Sequence, residues 1–180
     1  MAIKTFTTGE VLTASDTNTY LANSGLVYVT HTTVSGTPST LTVPNCFNST
    51  YDNYRVVFDQ ITFSVGGFNY LFQVGGNNTL YYGVSNYDSS GAGSGRVVSN
   101  NGSALYAGVQ DSASTGGTFD VTNPYLAKST IISGLSMGAN YGTWTVGQHA
   151  NAVSCTSLTL LTGSGTITGG SIYVYGYRKA

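Results

Sequence analysis

From Leu26 onward, apolar and polar residues alternate with a period of two, which is typical of half-buried β-strands. The clearest example is the segment 54–61, where Tyr54, Val56 and Phe58 fall on one face. Arg55, Val57, Asp59 and Ile61 fall on the other. Similar short segments, separated by Gly-Gly or Asn-Gly turns, occupy residues 26–33, 41–43, 68–74, 79–84, 96–98, 104–109, 117–122, 130–136, 141–147, 153–161 and 171–178. This pattern predicts an all-β body over residues 26–180, an antiparallel β-sandwich of the jelly-roll type.

Residues 1–25 have a different pattern and predict a short helical leader. Thr13 and Asp16 are spaced as in a capping box, in which each side chain bonds the other residue's backbone N–H. Tyr20 and Leu21 would share an apolar side, and Gly25 supplies a C-terminal stop. A helix of about three turns is not stable alone, so we expect it to pack on another surface.

Charge is scarce in this chain, and hydroxyls and amides replace it. There are only six Lys or Arg and seven Asp or Glu residues, against 26 Thr, 21 Ser, 14 Asn and 24 Gly. An average soluble protein has about a quarter of its residues charged. This composition is similar to that of outer proteins of virus particles and of secreted adhesins, and six scattered cations do not form a nucleic-acid-binding stripe.

Neither a membrane helix nor a secretory signal is visible in the sequence. No run of about 18 apolar residues occurs, and the first residues lack the apolar core of a signal peptide. We therefore expect no membrane insertion and synthesis in a cytoplasm, and we expect residues 171–178 to be the closing strand of the domain.

Candidate metal ligands and cofactor sites are absent from the sequence pattern. His31 and His149 have no Cys, His or carboxylate partner at ligand spacing, so we predict no metal and no cofactor. Cys46 and Cys155 are interpreted as buried thiols, with a single disulfide as the alternative.

The carboxylates give little support for catalysis. Asp59 and Asp120 lie on predicted strands and can pair with Arg55 or Arg96, whereas Asp88 and Asp111 lie in Gly/Ser-rich segments. The Gly91–Arg96 segment lacks the Lys-Ser/Thr ending of a phosphate-binding loop and is interpreted as a flexible loop. We therefore expect no enzymatic activity. A glycoside hydrolase becomes the alternative if two of the four aspartates lie about 5–10 Å apart in a groove.

Tyrosines in the Asn/Ser/Gly-rich middle of the chain are candidate recognition residues. Tyr supplies a large rigid surface with a polar tip, which suits carbohydrate or protein partners. The alternative is that these side chains occupy half-buried strand faces, where Tyr is common. The candidates are Tyr81, Tyr82, Tyr87 and Tyr106.

Both ends of the chain resemble small virion proteins of tailed bacteriophages, particularly those of marine and cyanobacterial hosts. The N-terminal similarity spans residues 3–21, and its core is the string Gly-Glu-Val-Leu-Thr-Ala-Ser-Asp-x-Asn-Thr-Tyr-Leu, residues 9–21, in which x stands at Thr17. The C-terminal similarity is the closing Tyr-Val-Tyr-Gly-Tyr-Arg, residues 173–178. Together the two matches cover about 30 residues, and the middle of the chain has no such similarity.

The resemblance implies a homotrimeric β-sandwich on the surface of a phage particle. It implies a capsid decoration or head-fibre protein, with a compact tail fibre that recognises a host-surface glycan or protein as the alternative. Its partners would be its own copies and other virion proteins. The leader would be the attachment device, through the apolar residues Phe6, Val11, Leu12, Tyr20 and Leu21.

Overall fold

The computed structural model describes residues 7–16, 25–91, 93–138 and 140–179. Two antiparallel sheets of eight and four strands pack face to face, which confirms the predicted β-sandwich. The described strands are β1 (Leu26–Thr33), β2 (Thr40–Val43), β3 (Asn53–Phe63), β4 (Asn69–Val74), β5 (Tyr81–Ser89), β6 (Gly93–Gly102), β7 (Leu105–Val109), β8 (Thr115–Thr122), β9 (Thr130–Gly138), β10 (Tyr141–His149), β11 (Leu158–Thr162) and β12 (Ile167–Tyr177).

The strand order places the first and last strands together. The large sheet runs β1-β12-β3-β8-β9-β10-β5-β6, and the small sheet runs β2-β11-β4-β7. The inner face of the large sheet packs on the small sheet, and β7 lies against β5, β9 and β10. Side chains on the outer face of the large sheet, such as Tyr28 and Trp144, are more than half exposed.

The hydrophobic core lies where β3, β8 and β12 face the small sheet. Tyr54, Val56 and Phe58 of β3 are buried there, as their alternation predicted. The Phe58 ring centroid lies 5.3 Å from that of Phe119 and 6.1 Å from that of Phe72. Closely packed aromatic rings on facing strands therefore hold the two sheets together.

The capping box of the leader is present as predicted. Helix α1 (Ala14–Asp16) begins where the Asp16 N–H donates to Thr13 Oγ1 at 3.1 Å and the Thr13 N–H donates to Asp16 Oδ2 at 3.1 Å. The leader continues from there into residues 17–24, which lie outside the described residues.

Three local predictions were wrong. Ile61 is buried, because a bulge around Gln60, whose φ is 48°, shifts the register with β8 and returns Ile61 to the core face. Gly93 to Arg96 are paired in β6, opposite Ser89 to Asn86 of β5, and do not form a loop. Strand β11 begins only at Leu158, so residues 153–157 of the predicted strand 153–161 lie outside it. In that segment the Cys155 N–H donates to the Pro124 carbonyl.

Candidate functional site

In the half of the large sheet formed by β9, β10 and β5, the inner face is polar. Ser85, Ser136 and Thr145 are buried there. The Thr145 hydroxyl donates to the Tyr106 carbonyl at 3.0 Å, and the Ser136 hydroxyl donates to the Ala107 carbonyl at 2.7 Å. Since β7 is an edge strand of the small sheet, these hydroxyls satisfy carbonyl groups that would otherwise be buried without a partner.

Glycines complete this inner face. A Cβ at Gly83 or at Gly147 would collide with the side chain of Leu105, which lies on β7. The two glycines therefore let β7 approach the large sheet closely. With hydroxyls and glycines inside, most of the large apolar side chains of these strands point outward, and Ile132 is a buried exception.

The outward side chains form an exposed apolar patch, which we define by six residues that are each at least half exposed: Val98, Ile131, Leu135, Met137, Trp144 and Val146. The patch is continuous, because Val84 pairs with both Val98 and Val146, and Trp144 pairs with Leu135. Covering six half-exposed side chains of this size is worth on the order of 5 kcal/mol. Apolar patches of this kind mark contact surfaces.

The opposite half of the outer face carries aromatic rings. We define the tyrosine strip as Tyr28 and His31 on β1 together with Tyr173, Tyr175 and Tyr177 on β12. The His31 and Tyr173 rings stack with centroids 5.3 Å apart, and the Tyr28 and Tyr175 rings meet edge to face at 6.0 Å. The Tyr28 hydroxyl and His31 Nδ1 are 2.6 Å apart, so the rings also hold one another by a hydrogen bond.

A β-bulge makes the strip possible. Residues three apart on a regular strand point to opposite faces. The register of β1 against β12 shifts between Tyr28 and Thr30, so that Tyr28 pairs with Tyr175 and His31 pairs with Tyr173. Val29 packs inward against the core, and both rings remain on the outer face.

An ion pair lies beside the strip. The Arg55 guanidinium binds the Asp120 carboxylate through two bonds, at 2.9 Å and 2.8 Å, and the Tyr177 hydroxyl donates to Asp120 at 2.7 Å. The hydrogen bond from Arg55 lowers the pKa of Asp120, and burial together with the bond to Asp120 raises the pKa of Tyr177. Of the alternative pairings open from the sequence, the structure has Arg55 with Asp120.

A shallow groove separates the two halves of the outer face. Its volume is about 480 Å³, with Arg55 and Asp120 on one side and Leu135 and Trp144 on the other. Asp120 is the only one of the four candidate aspartates that lines this groove, and its carboxylate is already bound by Arg55. The groove therefore lacks the pair of carboxylates that the glycoside hydrolase alternative requires.

The sequence-predicted recognition tyrosines do not form one surface. Tyr81 and Tyr106 are 0% and 2% exposed, so the prediction that they contact a surface ligand was wrong. The Tyr81 hydroxyl accepts the Val74 N–H at 2.8 Å, and burial raises the pKa of Tyr106 to about 12. Tyr82 and Tyr87 are half-buried, and only Tyr82 borders the apolar patch.

The tyrosine strip was missed by the sequence analysis, although the signal was there. In β12 the buried residues Ile172 and Val174 alternate with Tyr173, Tyr175 and Tyr177. This alternation places three tyrosines on the face opposite the core. The sequence did not show that β1 pairs with β12, and this pairing adds the rings of Tyr28 and His31 to the strip.

Burial is the main influence on the pKa of His149 and of both cysteines. Burial lowers the pKa of His149, whose ring packs on Tyr81 with centroids 4.8 Å apart. Cys46 and Cys155 are buried free thiols, and burial raises the pKa of Cys46 to about 12. Within the described ranges, no three His, Cys, Asp or Glu side chains are grouped as metal ligands.

The predicted attachment residues are only partly described. Val11 is 79% exposed and Leu12 is 50% exposed. Phe6, Tyr20 and Leu21 lie outside the described residues. Among the described residues, no helix is long and apolar enough to cross a bilayer.

No protein-family model matches the chain, and no curated protein is significantly similar to it.

Proposed function

We propose that this protein is a non-enzymatic surface protein of a bacteriophage particle, a trimeric capsid decoration or head-fibre protein attached through its N-terminal leader. The observation that carries the proposal is the apolar patch, which covers the outer face of a sheet half with a polar inner face. A protein that folds with Trp144, Leu135 and Met137 outward needs another surface to cover them.

Copies of the same chain are the occupant that this patch fits best. The centre of a subunit interface is depleted of charge and rich in aliphatic and aromatic side chains, as the patch is. Most soluble oligomers are symmetric assemblies of one chain. The choice of a trimer rests on the resemblance of the N- and C-terminal strings to phage virion proteins. The scarcity of Lys, Arg, Asp and Glu over the whole chain fits a protein that functions in an assembly.

The leader has the properties of an attachment segment. Its capping box fixes the start of a helix, and Val11 and Leu12 expose apolar surface close by. A short helix gains most of its stability from packing. Docking on the particle or on a neighbouring subunit supplies that packing.

Three measurements test the proposal. Sedimentation equilibrium of the purified protein should give the mass of three chains, and a strictly monomeric mass would contradict the proposal. Gold-labelled antibody against the chain should then decorate the heads of intact virions in electron micrographs. Deleting residues 1–24 should leave a folded body that no longer joins particles.

The second candidate function is a compact tail fibre that recognises a host-surface glycan or protein. The tyrosine strip is the specific observation that favours it. Tyr28 and His31 are exposed, the three tyrosines of β12 are half-buried, and aromatic rings with polar tips at a surface are typical of recognition surfaces. Gold label confined to tails would select this function over the first.

A further inference from the structure

We propose that the tyrosine strip binds a neutral polysaccharide, with pyranose rings stacked on Tyr173, Tyr175 and Tyr28 beside the Arg55–Asp120 pair. This inference rests on the second candidate function, because it gives the protein a ligand on the host surface. The strip does not overlap the apolar patch, so the site remains open when the patch is covered.

The strip has the dimensions of a platform for a short sugar chain. Tyr173, Tyr175 and Tyr177 alternate along one strand and span on the order of 13 Å. Tyr28 and His31 widen the platform by one strand. A pyranose ring resembles a phenol ring in size, and its C–H face carries the partial positive charge that the negative face of an aromatic ring attracts.

The rings are held in place before any ligand arrives. His31 stacks on Tyr173, Tyr28 contacts both His31 and Tyr175, and Tyr177 bonds Asp120. Since these contacts already restrict the side chains, little rotamer entropy is lost on binding. The rings do not share one plane, because Tyr28 and Tyr175 meet at an interplanar angle of 70°, so each sugar ring stacks on one aromatic ring at a time.

Polar groups at the edges of the strip match sugar hydroxyls. On one side, the Arg55 guanidinium uses Nε and Nη2 to bind Asp120, and its remaining N–H groups are available to donate to sugar hydroxyls. At the far end, the Thr33 and Ser171 hydroxyls are 2.9 Å apart. These polar groups orient the sugar through hydrogen bonds, and the aromatic rings provide the contact area.

The charge of the site selects a neutral ligand. Arg55 is paired with Asp120, so the cation beside the strip is already compensated. A nucleic acid or an acidic polysaccharide requires uncompensated cations along its path. A protein partner would find more apolar area on the opposite half of the same sheet, in the apolar patch.

The proposal is tested by measuring retention on immobilised neutral polysaccharides, namely dextran, laminarin and mannan, with alginate as the acidic counterpart. The full-length protein should bind at least one neutral polymer. Tyr175→Ala, which removes the central ring, should weaken that binding about tenfold. Tyr82→Ala, a half-buried tyrosine on the same face beside the apolar patch, is the matched control and should bind as the parent does.

Each other outcome contradicts the proposal. Failure to bind all three neutral polymers overturns it, as does binding to alginate alone. Equal losses in Tyr175→Ala and Tyr82→Ala would place the site elsewhere. If Tyr175→Ala does not fold, His31→Ala on the exposed edge strand gives the same test, with circular dichroism as the check of fold.

A second variant separates this inference from the assembly proposal. Trp144→Glu places a charge in the apolar patch and should leave polysaccharide binding per chain unchanged while reducing the mass of the assembly. A monomeric parent that still binds laminarin would refute the trimer and retain the strip. A trimer without polysaccharide binding would refute the strip and retain the trimer.

Discussion

The two halves of the large sheet have opposite polarity. Where β3, β8 and β12 lie, apolar residues such as Val56 and Val174 face inward, and polar or aromatic residues face outward. Where β9, β10 and β5 lie, hydroxyls face inward, and Trp144 and Val146 face outward. One row of paired residues crosses the whole outer face from β6 to β1 and shows the change: Val98, Val84, Val146, Ser133, Asp120, Arg55, Tyr175 and Tyr28.

This difference teaches that the core and the exposed apolar area of one sheet lie in different halves. The first half supplies the core of a single chain, and its outer face is left for aromatic and charged groups. The second half stabilises the single chain through hydroxyl-to-carbonyl bonds and close approach of β7, and its apolar area remains for another surface. Substitutions in the two halves should therefore affect different measurements.

The largest expected effect lies in the core half. Phe58→Ala should lower the free energy of unfolding by about 3–5 kcal/mol, because it removes a buried ring and leaves a cavity between the sheets. Urea denaturation of both proteins gives the difference. Phe68→Ala, at an exposed phenylalanine, is the control and should change stability by less than about 1 kcal/mol. A small loss at Phe58 would contradict the position of the core.

The next effect concerns association. Trp144→Glu should weaken self-association about a hundredfold, because the interface would have to bury an unpaired charge. Sedimentation velocity over a concentration series measures this shift. Tyr173→Glu, on the other half of the same face, is the counterpart and should associate like the parent. Equal effects would mean that the two halves do not differ in the way described above.

A smaller effect is expected for the polar inner face. Thr145→Val removes the hydroxyl that bonds Ser85 and the Tyr106 carbonyl, and should cost about 1–2 kcal/mol of stability. Thr159→Val is the control, because its hydroxyl pairs with Thr42 on the exposed side of the small sheet. Thermal unfolding of the two variants should rank them in this order. A Thr145→Val protein more stable than the parent would show that this face prefers apolar side chains.

The smallest effect appears only in acid. Burial lowers the pKa of His149 below its ordinary value of 6.5, so the folded protein favours the neutral ring. As the pH falls below 6.5, the His149 ring is protonated in the unfolded chain before it is protonated in the folded protein. The free energy of unfolding therefore decreases from pH 6.5 down to the lower pKa of the folded state. His149→Phe should make stability less dependent on pH in this window. His31→Asn, at the exposed histidine, is the control, and identical pH profiles for parent and His149→Phe would exclude His149 as the cause.

The fold could be predicted because alternation and turns are local signals. The period of two located the strands, and Thr13 with Asp16 fixed the start of the helix through bonds between near neighbours. The bulge that buries Ile61 could not be predicted, because it depends on the pairing of β3 with β8. The face of the sheet on which Ile61 lies is therefore set by long-range strand pairing and not by local alternation.

The candidate site was harder to predict than the fold. Tyr81 and Tyr106 lie in segments rich in Asn, Ser and Gly, which indicated an exposed surface. Both are buried, because the Tyr81 hydroxyl bonds Val74 within the sandwich and Tyr106 lies on β7, which packs against the large sheet. The tyrosine strip required knowing that β1 and β12 are neighbours, and the two strands lie at opposite ends of the chain.

The shared plane of the apolar patch and the tyrosine strip has a consequence for binding strength. If sister subunits cover the patch as proposed, each subunit adds its own strip to the same assembly. On a surface that repeats its sugars, the first contact then raises the local concentration of ligand at the next strip. Linked sites of this kind can exceed the single-site affinity by about 10²–10⁴ when their spacing matches. Under this proposal, avidity would allow each strip to bind weakly and release quickly while the whole assembly remains attached.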